Sequence, residues 1–104
     1  MVIGRVVGTV VATQKDRGLT GTKLLIIQAV GPDLSPKGGF VVAVDSVGAG
    51  EGEVVLYTTG SSARQTEKTE GKPVDAVIVA IVDFVDVEGK LVYQKNLDTE
   101  SNNT

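Results

Sequence analysis

The apolar residues of this chain come in short β-branched runs, each cut off by glycine or a polar turn, and that pattern points to strands throughout. Val2 to Thr13 alternates imperfectly around the pairs Val6-Val7 and Val10-Val11 and reads as one long strand, bent or bulged at Gly8. Gln14 to Gly18 is a polar turn. Lys23 to Val30 forms a second strand closed by Gly31-Pro32-Asp33, and a surface loop runs on to Gly39. Phe40 to Val47 and Glu53 to Thr58 are the third and fourth strands. Between them, Gly48, Gly50 and Gly52 mark a connection that needs unusual backbone angles or a close approach.

Further along, Ser62 and Gln65 are spaced as a capping box and could open one short helix. The charged stretch from Thr66 to Pro73 ends that helix and reads as an exposed loop. Val74 to Val87 is the most apolar run, and its β-branched density favours one long strand over a helix. Glu88-Gly89 turns the chain into a last short strand, Lys90 to Lys95. Valine is the commonest residue and glycine follows at 13, the composition of a sheet protein with many turns. The expectation is an all-β fold with one short helix, a small barrel of five to six strands like the oligonucleotide-binding (OB) type. At 104 residues the chain is one domain, placed at 1–95, with 96–104 as a polar, flexible C-terminal tail.

Much chemistry is excluded at this level. There are no cysteines and no histidines, so thiolate metal sites, disulfides and the usual neutral-pH general base are all missing. The net charge of -3 argues against a protein built to grip phosphate backbones. No apolar run approaches the roughly 20 residues that span a bilayer, and Met1 to Arg5 does not open a signal peptide, so the expected location is the cytoplasm.

The remaining candidates divide between chemistry and architecture. Val47-Gly48-Ala49-Gly50-Glu51-Gly52-Glu53 superficially matches a dinucleotide fingerprint, but position 53 is glutamate and a strand follows where a helix is required. A structural turn or subunit contact is the better reading, and no cofactor is expected. Asp45, Asp75 and Asp83 sit within or beside apolar runs, where an unpaired charge is costly, so pairing with Arg64, Lys15 or Lys23 is expected. Gly60-Ser61-Ser62-Ala63-Arg64 has hydroxyls but no base to activate them, leaving a helix start, with anion binding as a secondary reading. A nucleic-acid-binding barrel is the alternative function. It wants aromatic platforms in a basic groove, and only Phe40, Tyr57, Phe84 and Tyr93 are aromatic.

Five segments together resemble the pentameric vertex proteins of bacterial microcompartments, the EutN/CcmL family of carboxysomes and of ethanolamine- and propanediol-utilisation shells. They are Gly8 to Lys15; Leu19 and Gly21 with Lys23-Leu24-Leu25; Val42 to Glu53; Gly60 to Arg64; and Pro73 to Ala76 leading to Ala80-Ile81-Val82-Asp83. The resemblance implies a structural shell subunit with no catalysis, an OB-like barrel that forms a homopentamer capping five-fold corners. Hexameric or pseudohexameric shell proteins would be its partners, with no nucleic acid and no membrane. It implies a subunit interface around Asp45, Gly48, Gly50 and Arg64, and an axial pore near Gly60, Ser61 and Ser62. Such a ring needs contacts that close after a fixed rotation, which stiff glycine-turned loops supply.

Overall fold

The computed structural model describes residues 1–13, 17–19, 21–60, 63 and 75–95. Five strands close into a barrel: β1 (Val2–Val10), β2 (Leu24–Val30), β3 (Pro36–Asp45), β4 (Val54–Thr59) and β5 (Ala76–Ile81). Their order around the barrel is β1-β2-β3-β5-β4. Every neighbour is antiparallel except β3 and β5, which run parallel through Val44 opposite Val77 and Asp45 opposite Ile78. A hairpin of β6 (Phe84–Val87) and β7 (Lys90–Gln94) follows as a separate two-stranded sheet. One 3-10 turn, Arg17–Leu19, precedes β2. The expected helix at Ser62 lies, apart from Ala63, outside the described residues, as do the 66–73 loop and the 96–104 tail.

The barrel interior is filled by Val6, Leu25, Ile27, Ala43, Val55, Tyr57, Ala76 and Ile78, all nearly or fully buried. Alternation along each strand places these residues inside. A second cluster of Val44, Ala63 and Val77 sits on the outer face of the parallel pair, with Leu19 and Leu24 packed against it. Both faces of that pair are therefore covered, which is why Ala43-Val44 and Val77-Ile78 are buried as consecutive residues. Gly4 lies where β1 crosses the interior. A Cβ there would collide with the Ile27 side chain and come within 2.9 Å of the Tyr57 ring, so only glycine fits.

Three departures from the expected boundaries exceed two residues. The bulge near Gly8 is present, with Val7 as the extra residue between the Val6–Ile27 and Gly8–Ile26 pairs, but β1 ends at Val10. β3 starts earlier than Phe40, because Pro36 pairs with Val30 and the stretch expected to be a loop joins the ladder. Val74 to Val87 is not one strand. β5 ends at Ile81 once Ala80 and Ile81 have paired with Leu56 and Val55. The chain then leaves the barrel at Val82-Asp83, and β6 turns to pair with β7 alone. The Glu88-Gly89 turn is as expected: both residues have positive φ, 52° and 79°, the geometry of a tight hairpin turn.

Candidate subunit-contact site

The loop from Ser46 to Glu53 joins β3 to β4, and neighbouring side chains brace it. Asp45, the last residue of β3, turns its carboxylate into the loop: Oδ1 accepts the backbone N–H groups of Val47, Gly48 and Ala49, each at 3.1 Å. Its side chain is 3% exposed, and Oδ2 lies 3.8 Å from the Lys23 ammonium. Lys23 also donates to the Ala49 carbonyl at 2.7 Å. Ala49 is completely buried and plugs the loop into the barrel core. The Ser46 hydroxyl donates to the Ile78 carbonyl at 2.6 Å, fastening the loop to β5.

The far side of the loop is held just as firmly. Glu53 Oε1 accepts the Gly50 N–H at 2.6 Å, and Oε2 pairs with Lys95 at 2.9 Å. Arg5 of β1 donates to the Gly52 carbonyl at 2.8 Å and stacks over the Tyr93 ring, 5.6 Å from its centroid. Partial burial works against the Glu53 charge, but the Lys95 hydrogen bond, the Gly50 N–H and the Lys95 charge hold its carboxyl below its ordinary value. The hydrogen bond and charge of Glu53 in turn raise Lys95. Gly48 and Gly52 have φ of 81° and 91° with open space around the missing Cβ, so glycine is needed there for backbone angle. Val47, Gly48, Glu51 and Gly52 remain exposed on this braced loop.

Gly48 and Gly50 thus share one loop, Gly48 exposed and Gly50 half-buried, while Asp45 braces it from the end of β3. Arg64, Ser61 and Ser62 lie outside the described residues. Gly60 follows β4 with φ 67°, and its N–H bonds to the Asp75 carbonyl at 2.8 Å. Asp75 and Asp83 are exposed, so the desolvation argument applies to Asp45 alone. Sequence reading missed Lys23 to Ala49, Glu53 to Gly50 and Ser46 to Ile78; the second alone left a trace, a glutamate closing the glycine-rich run. Among the described residues no cluster of three acidic side chains could hold a metal ion, and no helix is long and apolar enough to cross a membrane.

A closed five-stranded barrel with a cross-braced, outward-facing loop is a structural module of the OB-like class. Within that class, the chain belongs to the ethanolamine utilisation protein EutN/carboxysome family, whose model matches residues 1–83. It is 48% identical over 86 residues to the bacterial microcompartment shell vertex protein GrpN of Rhodospirillum rubrum, covering 83% of this chain and 97% of that one. The carboxysome shell vertex protein CcmL of Gloeobacter violaceus is 45% identical, over 91% of this chain and 95% of its own. A solved structure of Gloeobacter violaceus CcmL superposes with a TM-score of 0.87 over 92% of this chain and 99% of that chain. The solved GrpN, a pentameric microcompartment shell protein, superposes at 0.76 with 47% identity, over 84% of this chain and all of its own. These relatives are shell proteins and not enzymes.

Proposed function

We propose that this chain is a structural subunit of a bacterial microcompartment shell that assembles as a ring of five and caps the five-fold corners of a polyhedral shell in the cytoplasm. The observation that supports this most directly is the match, at close to half identity and across the whole barrel, to shell vertex proteins, one of them pentameric. The braced 46–53 loop suits the role, because a ring closes only if each contact repeats one rotation. We place the subunit contact at this loop, with Gly48 and Gly50 on it, Asp45 holding its shape and Arg64 facing it. Gly60, Ser61 and Ser62 are placed at the axis. Hexameric shell proteins are the proposed neighbours, and residues 96–104 the proposed tail beyond a domain spanning 1–95.

The nucleic-acid alternative loses support from the aromatics, since Tyr57 and Tyr93 are buried and two exposed rings remain, Phe40 and Phe84. Native mass measurement tests the proposal. The full chain is expected at five times its subunit mass; a chain that stays monomeric at high concentration overturns the ring.

A further inference from the structure

Two side chains each hold the loop with one group and the hairpin with another. Glu53, the last residue of the loop, accepts the Gly50 N–H on Oε1 at 2.6 Å and the Lys95 ammonium on Oε2 at 2.9 Å. Arg5 of β1 donates to the Gly52 carbonyl at 2.8 Å, and its guanidinium lies over the Tyr93 ring of β7. The hairpin pairs only with itself and shares no ladder with the barrel. Tyr93 is buried opposite the half-buried Val85, whereas Phe84 on the other face is exposed. The hairpin is therefore an appended element, seated through Tyr93 and Lys95.

The loop is not held alike along its length. Its end is clipped to β1 by backbone bonds, Gly52 N–H to the Val6 carbonyl at 2.8 Å and Val6 N–H to the Glu53 carbonyl at 2.9 Å. Gly50 instead rests its N–H on a carboxylate carried by a flexible side chain. Fixing a glutamate or arginine rotamer costs entropy, and a side chain already fixed by one partner meets the second without that cost.

We propose that the hairpin is a clamp on the loop: its seating through Tyr93 and Lys95 fixes the Arg5 and Glu53 rotamers that shape the loop, and an unseated hairpin loosens it. Such coupling is reciprocal, so a partner that grips the loop also tightens the hairpin. The appended hairpin then helps prepare the ring contact, a consequence that rests on the ring reading above.

Gly89 stands in the hairpin turn with φ 79° and open space where a Cβ would be, so Gly89→Val strains the turn without crowding a neighbour. Hydrogen exchange in the full chain, compared with wild type at matched native mass, reads the effect. The Lys95 N–H, bonded to the Asp83 carbonyl, reports the hairpin; the Gly50 N–H reports the loop; the β1–β2 ladder reports the barrel. Gly50 is expected to exchange at least about fivefold faster together with Lys95, with the ladder unchanged. A Gly50 rate that stays at the wild-type value while Lys95 accelerates overturns the clamp, and so does a Gly50 rate that changes only in step with the ladder. If the turn tolerates valine and Lys95 does not accelerate, Tyr93→Ala decides. It unseats the hairpin while leaving Glu53 and Lys95 in place; the same acceleration at Gly50 is expected, and a wild-type rate overturns the inference. Sedimentation separates this inference from the ring reading, because a loosened loop is expected to raise the protein concentration needed for assembly. A loosened loop with unchanged assembly leaves the clamp standing and removes the loop from the ring contact.

Discussion

One carboxylate oxygen organises the exposed loop. Asp45 Oδ1 gathers three consecutive N–H groups that would otherwise point nowhere within the chain, and its burial is tolerable because the Lys23 ammonium lies 3.8 Å away. Asp45→Ala removes the acceptor and leaves Lys23 facing an apolar methyl. The expected cost is about 2 kcal/mol, lowering the melting temperature by about 10 °C at matched protein concentration. Asp45→Asn, which keeps an acceptor oxygen, should lose less. Equal melting of Asp45→Ala and wild type would show that the backbone alone holds the loop. The aspartate was legible in the sequence as a charge beside an apolar run. Its partners were only half legible: Lys23 stood among three possible cations, while its bond to the Ala49 carbonyl depends on β2 and the loop meeting across 26 residues, which local pattern does not encode.

Hairpin and barrel are tied by the Glu53–Lys95 pair, and that tie depends on pH. Glu53 has a lowered pKa, so its stabilisation is complete above the ordinary value of 4.5 and is lost as pH falls through the folded value. Lys95 has a raised pKa, so its share is complete below 10.5 and is lost as pH rises through the folded value. The brace therefore holds through the neutral range and opens in acid. The Gly50 amide resonance, whose N–H bonds to Glu53, should titrate with a midpoint below 4.5, and Lys95→Gln should raise that midpoint. An unmoved midpoint would show that Lys95 does not hold the carboxylate. Element by element, legibility followed local cues. Gly8 announced the bulge and Glu88-Gly89 the turn. The break at Val82-Asp83 was hidden because β-branched residues continue on both sides, and the bend comes from β5 running out of partners on β4. Pro36 to Gly39 reads as loop by composition, yet pairing with β2 draws it into β3.

Taken whole, the molecule is a closed barrel with a two-stranded hairpin appended and one braced loop exposed. If Arg64 faces a neighbouring subunit, Arg64→Ala strands a partner charge at the contact, a loss of about 2 kcal/mol or more per interface. Assembly is then expected to require at least tenfold higher protein concentration in sedimentation, while the dilute monomer melts as wild type. Unchanged concentration dependence would remove Arg64 from the contact. The order of strands has one more consequence. β5, the last barrel strand, is inserted between β3 and β4, so every pair of the closed cylinder is made before residue 82. The hairpin that follows is tied to that finished cylinder by side chains alone, Tyr93 under Arg5 and Lys95 on Glu53. A foreign peptide fused beyond Lys95 leaves no barrel register to rewrite and no brace to break, so that is where a passenger can be attached at the smallest expense to folding.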